Sequence, residues 1–204
     1  TNKPTLKDRV YRQVIEMICN GQLQSSAIIT EKQLTAHFGI SKSPVREALI
    51  QLCHDHVLTS IPRCGYQVIQ INGKDVHDLT ELRLLIEVGS LPKLIEKTTP
   101  EHLKRLHELN RQRENPTKES DVWSSWNRNE YILDTLSRVL SSCTRAYAQL
   151  YALQKETVVL PNDKTHAHPL ITEAIENHDL ATAQSLLHND ILRMESQLLS
   201  MNLL

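Results

Sequence analysis

The stretch TEKQLTAHFGISKSPVREALIQL, residues 30–52, carries a helix–turn–helix pattern. Thr30 followed three residues later by Gln33 is a capping box, in which the hydroxyl takes an orphan amide of the first turn and Gln33 reaches back to the cap. Leu34 and Phe38 stand one turn apart and face inward. Gly39 follows where a left-handed backbone is cheap only for glycine, so a helix over 31–38 ends there. Ile40 is placed to fill the space between two crossing helices. Val45, Ala48, Leu49 and Leu52 then repeat at i, i+3, i+4 and i+7, the stripe of a helix packed along one side. Ser43 can cap that helix and Pro44 in its first turn loses no needed amide, which predicts a second helix over 44–55.

The same packing leaves Ser41, Lys42, Ser43, Arg46 and, one or two turns on, Gln51 outside. A recognition helix presents its N-terminal residues to the major groove, and this is the end that carries them. Arg46 can grip a guanine through two donors or pin a phosphate, and the sequence leaves both open. The hydroxyls, Lys42 and the helix N-terminus suit phosphate oxygens. A mildly basic, solvated face of some unrelated helix would read alike, but the next segment narrows the choice. In VLTSIPRCGYQVIQI (57–71), β-branched and aromatic residues flank a Pro-Arg-Cys-Gly turn, which predicts a hairpin. Its tip, Arg63 to Tyr66, falls beside the recognition helix, and Gly65 there permits close backbone approach to nucleic acid.

Outward from this block, Val10, Val14, Ile15 and Ile18 mark one face of a helix over about 5–20. Asn72-Gly73 supplies a turn and a domain boundary. Glycine is absent after residue 89, and the rest reads as helices near 74–97, 100–114, 119–142, 143–156, 168–177 and 179–200. Pro100, Pro116, Pro161 and Pro169 fall at or near the breaks. The fold expected is mostly α. An N-terminal winged helix-turn-helix with a small β-hairpin wing occupies 1–72, and an all-α helical bundle occupies 73–204.

Composition agrees with such a reading. With 40% hydrophobic and 23% charged residues, the chain has an ordinary globular composition, and no stretch approaches a membrane span or a signal-peptide core. Cys19, Cys53, Cys64 and Cys143 are scattered, as in reduced cytosolic proteins, so a cytoplasmic location is expected. Up to residue 72 eight basic residues stand against five acidic, giving +3, so the remainder carries −4 of the overall −1. A basic head on an acidic body suits phosphate contacts confined to one domain.

The head resembles the GntR superfamily of bacterial regulators, in its FadR-type branch. The strings that carry the resemblance are ICNGQL (18–23), EKQL (31–34) and GISKSPVREAL (39–49), with Gly65 at the wing tip. The resemblance implies DNA-contact positions at Lys32, Ser41, Lys42, Ser43, Arg46 and Gly65, to which the wing adds Arg63. Two departures stand out. Ser25-Ser26 replaces the family's Pro-Gly after the first helix, and His56 replaces its glycine before the first strand. Both affect turns rather than contacts.

In the body, LTELRLLIEVGSLPKLIEK (79–97) and HPLITEAIENHDLATAQSLLHNDILRM (168–194) look like the opening and closing helices of the same branch's C-terminal domain. The resemblance implies a homodimer on palindromic double-stranded operator DNA, and a pocket for a small-molecule effector. It also implies, in many members, a divalent metal held by one Asp and three His. His168 occupies the first of those histidine positions, but Asp190 stands at the next. The upstream Asp–His pair falls on Asn129 and Leu133, or with a shift of one on Glu130 and Asp134. The standard ligand set is broken in either register, so no metal or other cofactor is expected. His168 and Asp190 are the ligands if a metal is held. The effector-binding residues expected are Arg83, Asn129, His168 and Asp190. Arg83 suits an anionic metabolite, or else pairs structurally with Glu87 one turn on.

No GxSxG, HExxH, phosphate loop or dinucleotide fingerprint occurs, so an enzyme is not expected. The competing readings are a metal-dependent helical enzyme built on the histidines of 166–190 and a winged helix used for protein contact. The exposed cations Lys32, Lys42 and Arg46 speak against the second.

Overall fold

A computed structural model describes residues 4–112, 129–154 and 167–200. The chain divides into two compact units, Thr1–Ile71 with Thr144–Leu160, and Asn72–Cys143 with Pro161–Leu204.

The first unit holds α1 (Leu6–Cys19), β1 (Ile28–Ile29), α2 (Glu31–Phe38), α3 (Lys42–His54), β2 (Leu58–Ile61) and β3 (Gly65–Val68). Its core is the stripe read from the sequence. Val10, Val14 and Ile18 of α1 and Val45, Ala48, Leu49 and Leu52 of α3 are buried together with Leu34, while Ile15, Phe38 and Ile40 pack half-buried against them. The Thr30–Gln33 capping box is complete, and Gly39 ends α2 in the left-handed conformation at φ 63°. A second capping box, Thr5 with Asp8, starts α1.

Three local expectations are corrected. Helix α3 begins at Lys42, its cap position is Ser41, and Ser43 gives its hydroxyl to Glu47 (3.0 Å) instead of capping. The wing is a three-stranded antiparallel sheet in the order β1-β3-β2, because Ile28 and Ile29 pair with Gln67 and Tyr66. A two-residue strand is too short to show any alternation in sequence. Gln51 turns back along its own helix to Asp55 (3.1 Å), which also accepts from the Tyr11 hydroxyl (3.0 Å).

The two departures from the family pattern fall on strained backbone. Ser26 (φ 65°) and His56 (φ 54°) both adopt left-handed conformations, the state that glycine in their place would enter freely. A left-handed side-chain-bearing residue costs about 1–2 kcal/mol, and the extra freedom that glycine gives the unfolded chain returns about 0.4–1 kcal/mol of that. Ser26→Gly and His56→Gly are therefore each expected to stabilise the head by roughly 0.5–1 kcal/mol. Thermal denaturation checks this, and a fall in Tm for both variants contradicts it.

The second unit contains α4 (Gly73–Arg83), a π-helical turn (Leu84–Val88), α5 (Gly89–Glu96), α6 (Pro100–Gln112), α8 (Ala167–Glu176) and α9 (Leu180–Ser200). It also contains α7 (Glu130–Gln154) as far as Cys143. Asn72 with Asp75 forms a third capping box at the start of α4. The π turn ends at Val88, whose carbonyl a proline at 92 would crowd in a regular helix, and this accounts for the change of hydrogen-bond register there. Leu91, Leu94 and Ile95 of α5, Leu106 of α6, Ile171, Ala174 and Ile175 of α8, and Ala183, Leu187 and Ile191 of α9 form the buried core.

The expected break between helices 119–142 and 143–156 does not occur: α7 runs unbroken, and residues 119–128 lie outside the described residues. Ser141, Ser142 and Thr144 are poor helix formers, but the buried series Leu136, Val139, Leu140, Cys143, Ala146, Tyr147 passes straight through them. Burial outweighs propensity here. The part of α7 from Thr144 to Gln154 belongs to the head unit, where the Gln149 amide accepts from the Ile71 N–H (2.9 Å) and donates to the Ile69 carbonyl (2.9 Å). The contiguous division expected at residue 72 thus differs from the compact units by this helical segment.

Candidate nucleic-acid interface

Ser41 stands at the cap position of α3, Lys42, Ser43 and Arg46 lie in its first turns, Lys32 lies in α2, and Arg63 lies between β2 and β3. Lys32, Ser41, Lys42, Ser43, Arg46 and Arg63 are all exposed. Glu31, which the sequence reading passed over, organises two of them. Arg46 donates from Nε to Glu31 Oε1 (2.8 Å) and from Nη2 to Oε2 (3.2 Å), and Lys42 Nζ lies 3.3 Å from the same Oε2. The bond from Arg46 and, less strongly, that from Lys42 hold the Glu31 carboxyl below its usual pKa, while the same carboxylate raises that of Arg46. Tyr66 on β3 belongs to this cluster too: burial first, and then the Glu31 charge, raise its phenol. Glu31 sits fifteen residues from Arg46 in sequence, and only its place at the start of α2 could have pointed to it.

The wing tip is unusual. Cys64 N–H bonds the Ile61 carbonyl (3.1 Å), closing a turn with Pro62 and Arg63 at its centre. Arg63 takes φ 65°, the left-handed value that a turn of this kind normally assigns to glycine. Non-glycine residues kept in such a state gather at functional sites. Gly65 has a plainer explanation than approach to DNA. At φ 132°, a Cβ on it would stand 2.4 Å from the Ile29 carbonyl oxygen, so β1 itself requires the glycine.

In the helical unit, Arg83 and Glu87 form a buried ion pair (Nε–Oε1 2.6 Å), with Arg83 Nη1 also against Met194 Sδ (2.9 Å). Burial alone would lower the Arg83 pKa, but Glu87, with smaller help from Cys143 and Asp190, leaves it raised. Of the two readings of Arg83, the pairing with Glu87 is the one present. His168 and Asp190 are brought together (Nε2–Oδ2 3.7 Å), and Asp190 Oδ1 also accepts from Arg193 (2.7 Å). Asn129 Oδ1 accepts from the Tyr131 and Ile132 amides (3.1 and 3.3 Å), so it caps α7. Asp134 faces outward and pairs with Arg138, so the shifted register supplies no inward carboxylate either. Among the described residues no group of three or more His, Cys, Asp or Glu could hold a metal ion. Among the described residues His168 and Asp190 are two donors, with Asp190 also engaged by Arg193, and two do not fit a transition ion that wants three or more ligands.

Residues 6–68 match the model of bacterial regulatory proteins of the gntR family, and residues 78–193, more than half of the chain, match the FCD domain. The chain belongs to the GntR family. Its head is the GntR winged helix and its body an FCD domain. Relatives of this GntR protein include the HTH-type transcriptional regulator YdhC of Bacillus subtilis, 31% identical over 116 residues (55% of this chain, 52% of YdhC). An HTH-type regulator in an unstable DNA locus of Streptomyces ambofaciens is 32% identical over 100 residues (49% and 42%). The matched region thus spans about half the length of these relatives. The fold is that of Escherichia coli McbR/YncC, with a TM-score of 0.80 at 16% identity over 97% of this chain and 99% of that one. These relatives are named as transcriptional regulators, not enzymes. Among the described residues no helix is long and apolar enough to cross a membrane.

Proposed function

We propose that this GntR protein is a sequence-specific, operator-binding transcriptional regulator of the cytoplasm. In this reading, α3 enters the major groove, the wing tip touches the adjacent backbone, and the FCD body binds a small-molecule effector and a second copy of the chain. The observation that carries it is the exposed cluster of Lys42 and Arg46 at the N-terminal end of α3. One such helix reads only a few base pairs, so useful selectivity needs a second half-site and hence a homodimer on a palindrome. We place the effector among Arg83, His168 and Asp190, without Asn129 and without a metal. An anionic metabolite there has to displace Glu87 from Arg83, which makes a carboxylate or phosphate group the natural competitor.

Selection from a random duplex library tests the reading, with an inverted repeat as the expected product. On the selected duplex, if Arg46 reads a base, Arg46→Ala is expected to weaken binding by about 1–3 kcal/mol and to relax preference at one position of each half-site. Lys42→Ala is expected to weaken all sequences more evenly and to flatten the salt dependence. Undiminished affinity in the double variant excludes the assignment.

A further inference from the structure

Arg46 has two edges able to make paired hydrogen bonds. The side edge, Nε with Nη2, is taken by Glu31 at 2.8 and 3.2 Å. The end edge, Nη1 with the outer hydrogen of Nη2, is left over, and the side chain remains 53% exposed. Two parallel N–H donors on a rigid plane are what the O6 and N7 acceptors of guanine require.

Glu31 is itself held still. It is the first residue of α2, directly after the Thr30 cap whose hydroxyl and amide are both engaged by Gln33. Its side chain is only 18% exposed, and Lys42 binds its second oxygen. An unsupported arginine on a helix surface must lose much rotamer freedom when it docks, whereas one clamped along its side edge has lost it beforehand. The carboxylate also offsets the guanidinium charge, weakening undirected attraction to phosphate while leaving the directional donors intact.

We infer that Glu31 is a positioning residue for specificity: it braces Arg46 so that the free end of the guanidinium reads a guanine, and it holds down binding to non-cognate DNA. This rests on the operator-binding reading above, and it decides between base and phosphate as the partner of Arg46.

The experiment uses the full chain and fluorescence anisotropy at several salt concentrations. The duplexes are the selected one, its single-base variants and an unrelated sequence. Glu31→Ala is expected to lower discrimination at one guanine position roughly tenfold, within the range that a paired arginine–guanine contact supplies. Affinity for the unrelated duplex should rise several-fold, and the salt slope should steepen by about one, as one opposing charge is removed. Glu31→Gln, of the same size and with one acceptor retained, should fall between. In an Arg46→Ala background, Glu31→Ala should no longer change discrimination, which a merely structural effect on α2 would not produce. Equal gains on cognate and mismatched duplexes would make Glu31 a shield and overturn the inference, as would unchanged discrimination. If the unaltered protein prefers no duplex at all, the regulator reading fails, and this inference with it.

Discussion

Glu87→Gln is expected to destabilise the helical unit by about 3–5 kcal/mol, the cost of breaking a buried ion pair from one side. Arg83 and Glu87 are 5% and 3% exposed, so neither charge is solvated by water if its partner is lost. Glutamine keeps the shape of Glu87 and one acceptor but removes the negative charge that balances the buried Arg83 guanidinium, whose other neighbours are the Met194 sulfur and the more distant Asp190. Glu87 Oε2 finds no hydrogen-bond partner among the described residues, so the pair is not optimised for stability even when intact. The double replacement Arg83→Met with Glu87→Leu removes both charges together and is expected to be neutral or even stabilising, by up to about 4 kcal/mol. Urea unfolding of the three proteins measures the contrast. A cost below about 1 kcal/mol for Glu87→Gln would show that water reaches the pair. Under the effector reading proposed above, this pair is where an anionic ligand would exchange with Glu87 on Arg83.

Much of the head was legible in the sequence because its signals are local. Thr30 and Gln33, Gly39, and the stripe from Val45 to Leu52 act over one or two turns, and each appears as read. Even the departures from the family pattern are informative, since Ser26 and His56 both stand at left-handed backbone positions. What the sequence concealed depends on contacts between distant residues. Glu31 and Arg46 meet only because α2 and α3 cross, and β1 exists only because β3 offers it an edge. In the body, apolar rhythm placed Asn129 in a ligand slot, yet the residue before a helix is a natural cap, and the capping role is the one found. Serines and threonine at 141–144 suggested a break that continuous burial overrides. Arg83 and Glu87 were correctly seen as one turn apart; that their pairing is buried required the packing of α9.

Gly65→Ala is expected to destabilise the wing by about 2–5 kcal/mol, summing an unfavourable backbone conformation with a forced shift of packed neighbours. At φ 132° a side chain is strained in any surroundings. Here the added Cβ also meets the Ile29 carbonyl oxygen at 2.4 Å and the carbonyl carbon at 3.3 Å, and these are backbone atoms that cannot rotate away. Relief requires β1 to part from β3, which breaks the pairing of Ile29 with Tyr66. Ile29 is buried in the head core, so the cost reaches α1 and α3 as well. Tyr66 lies beside Glu31, so the same change loosens the surroundings of Arg46 and is expected to reduce operator affinity together with stability. Arg63→Gly, two residues away, is the control: it relieves a left-handed backbone at φ 65° and is expected to hold or raise stability while removing a wing cation. Thermal unfolding and duplex binding of both variants separate the roles. Gly65→Ala with unchanged Tm but impaired binding would show that the glycine serves DNA approach after all, and not the seating of β1.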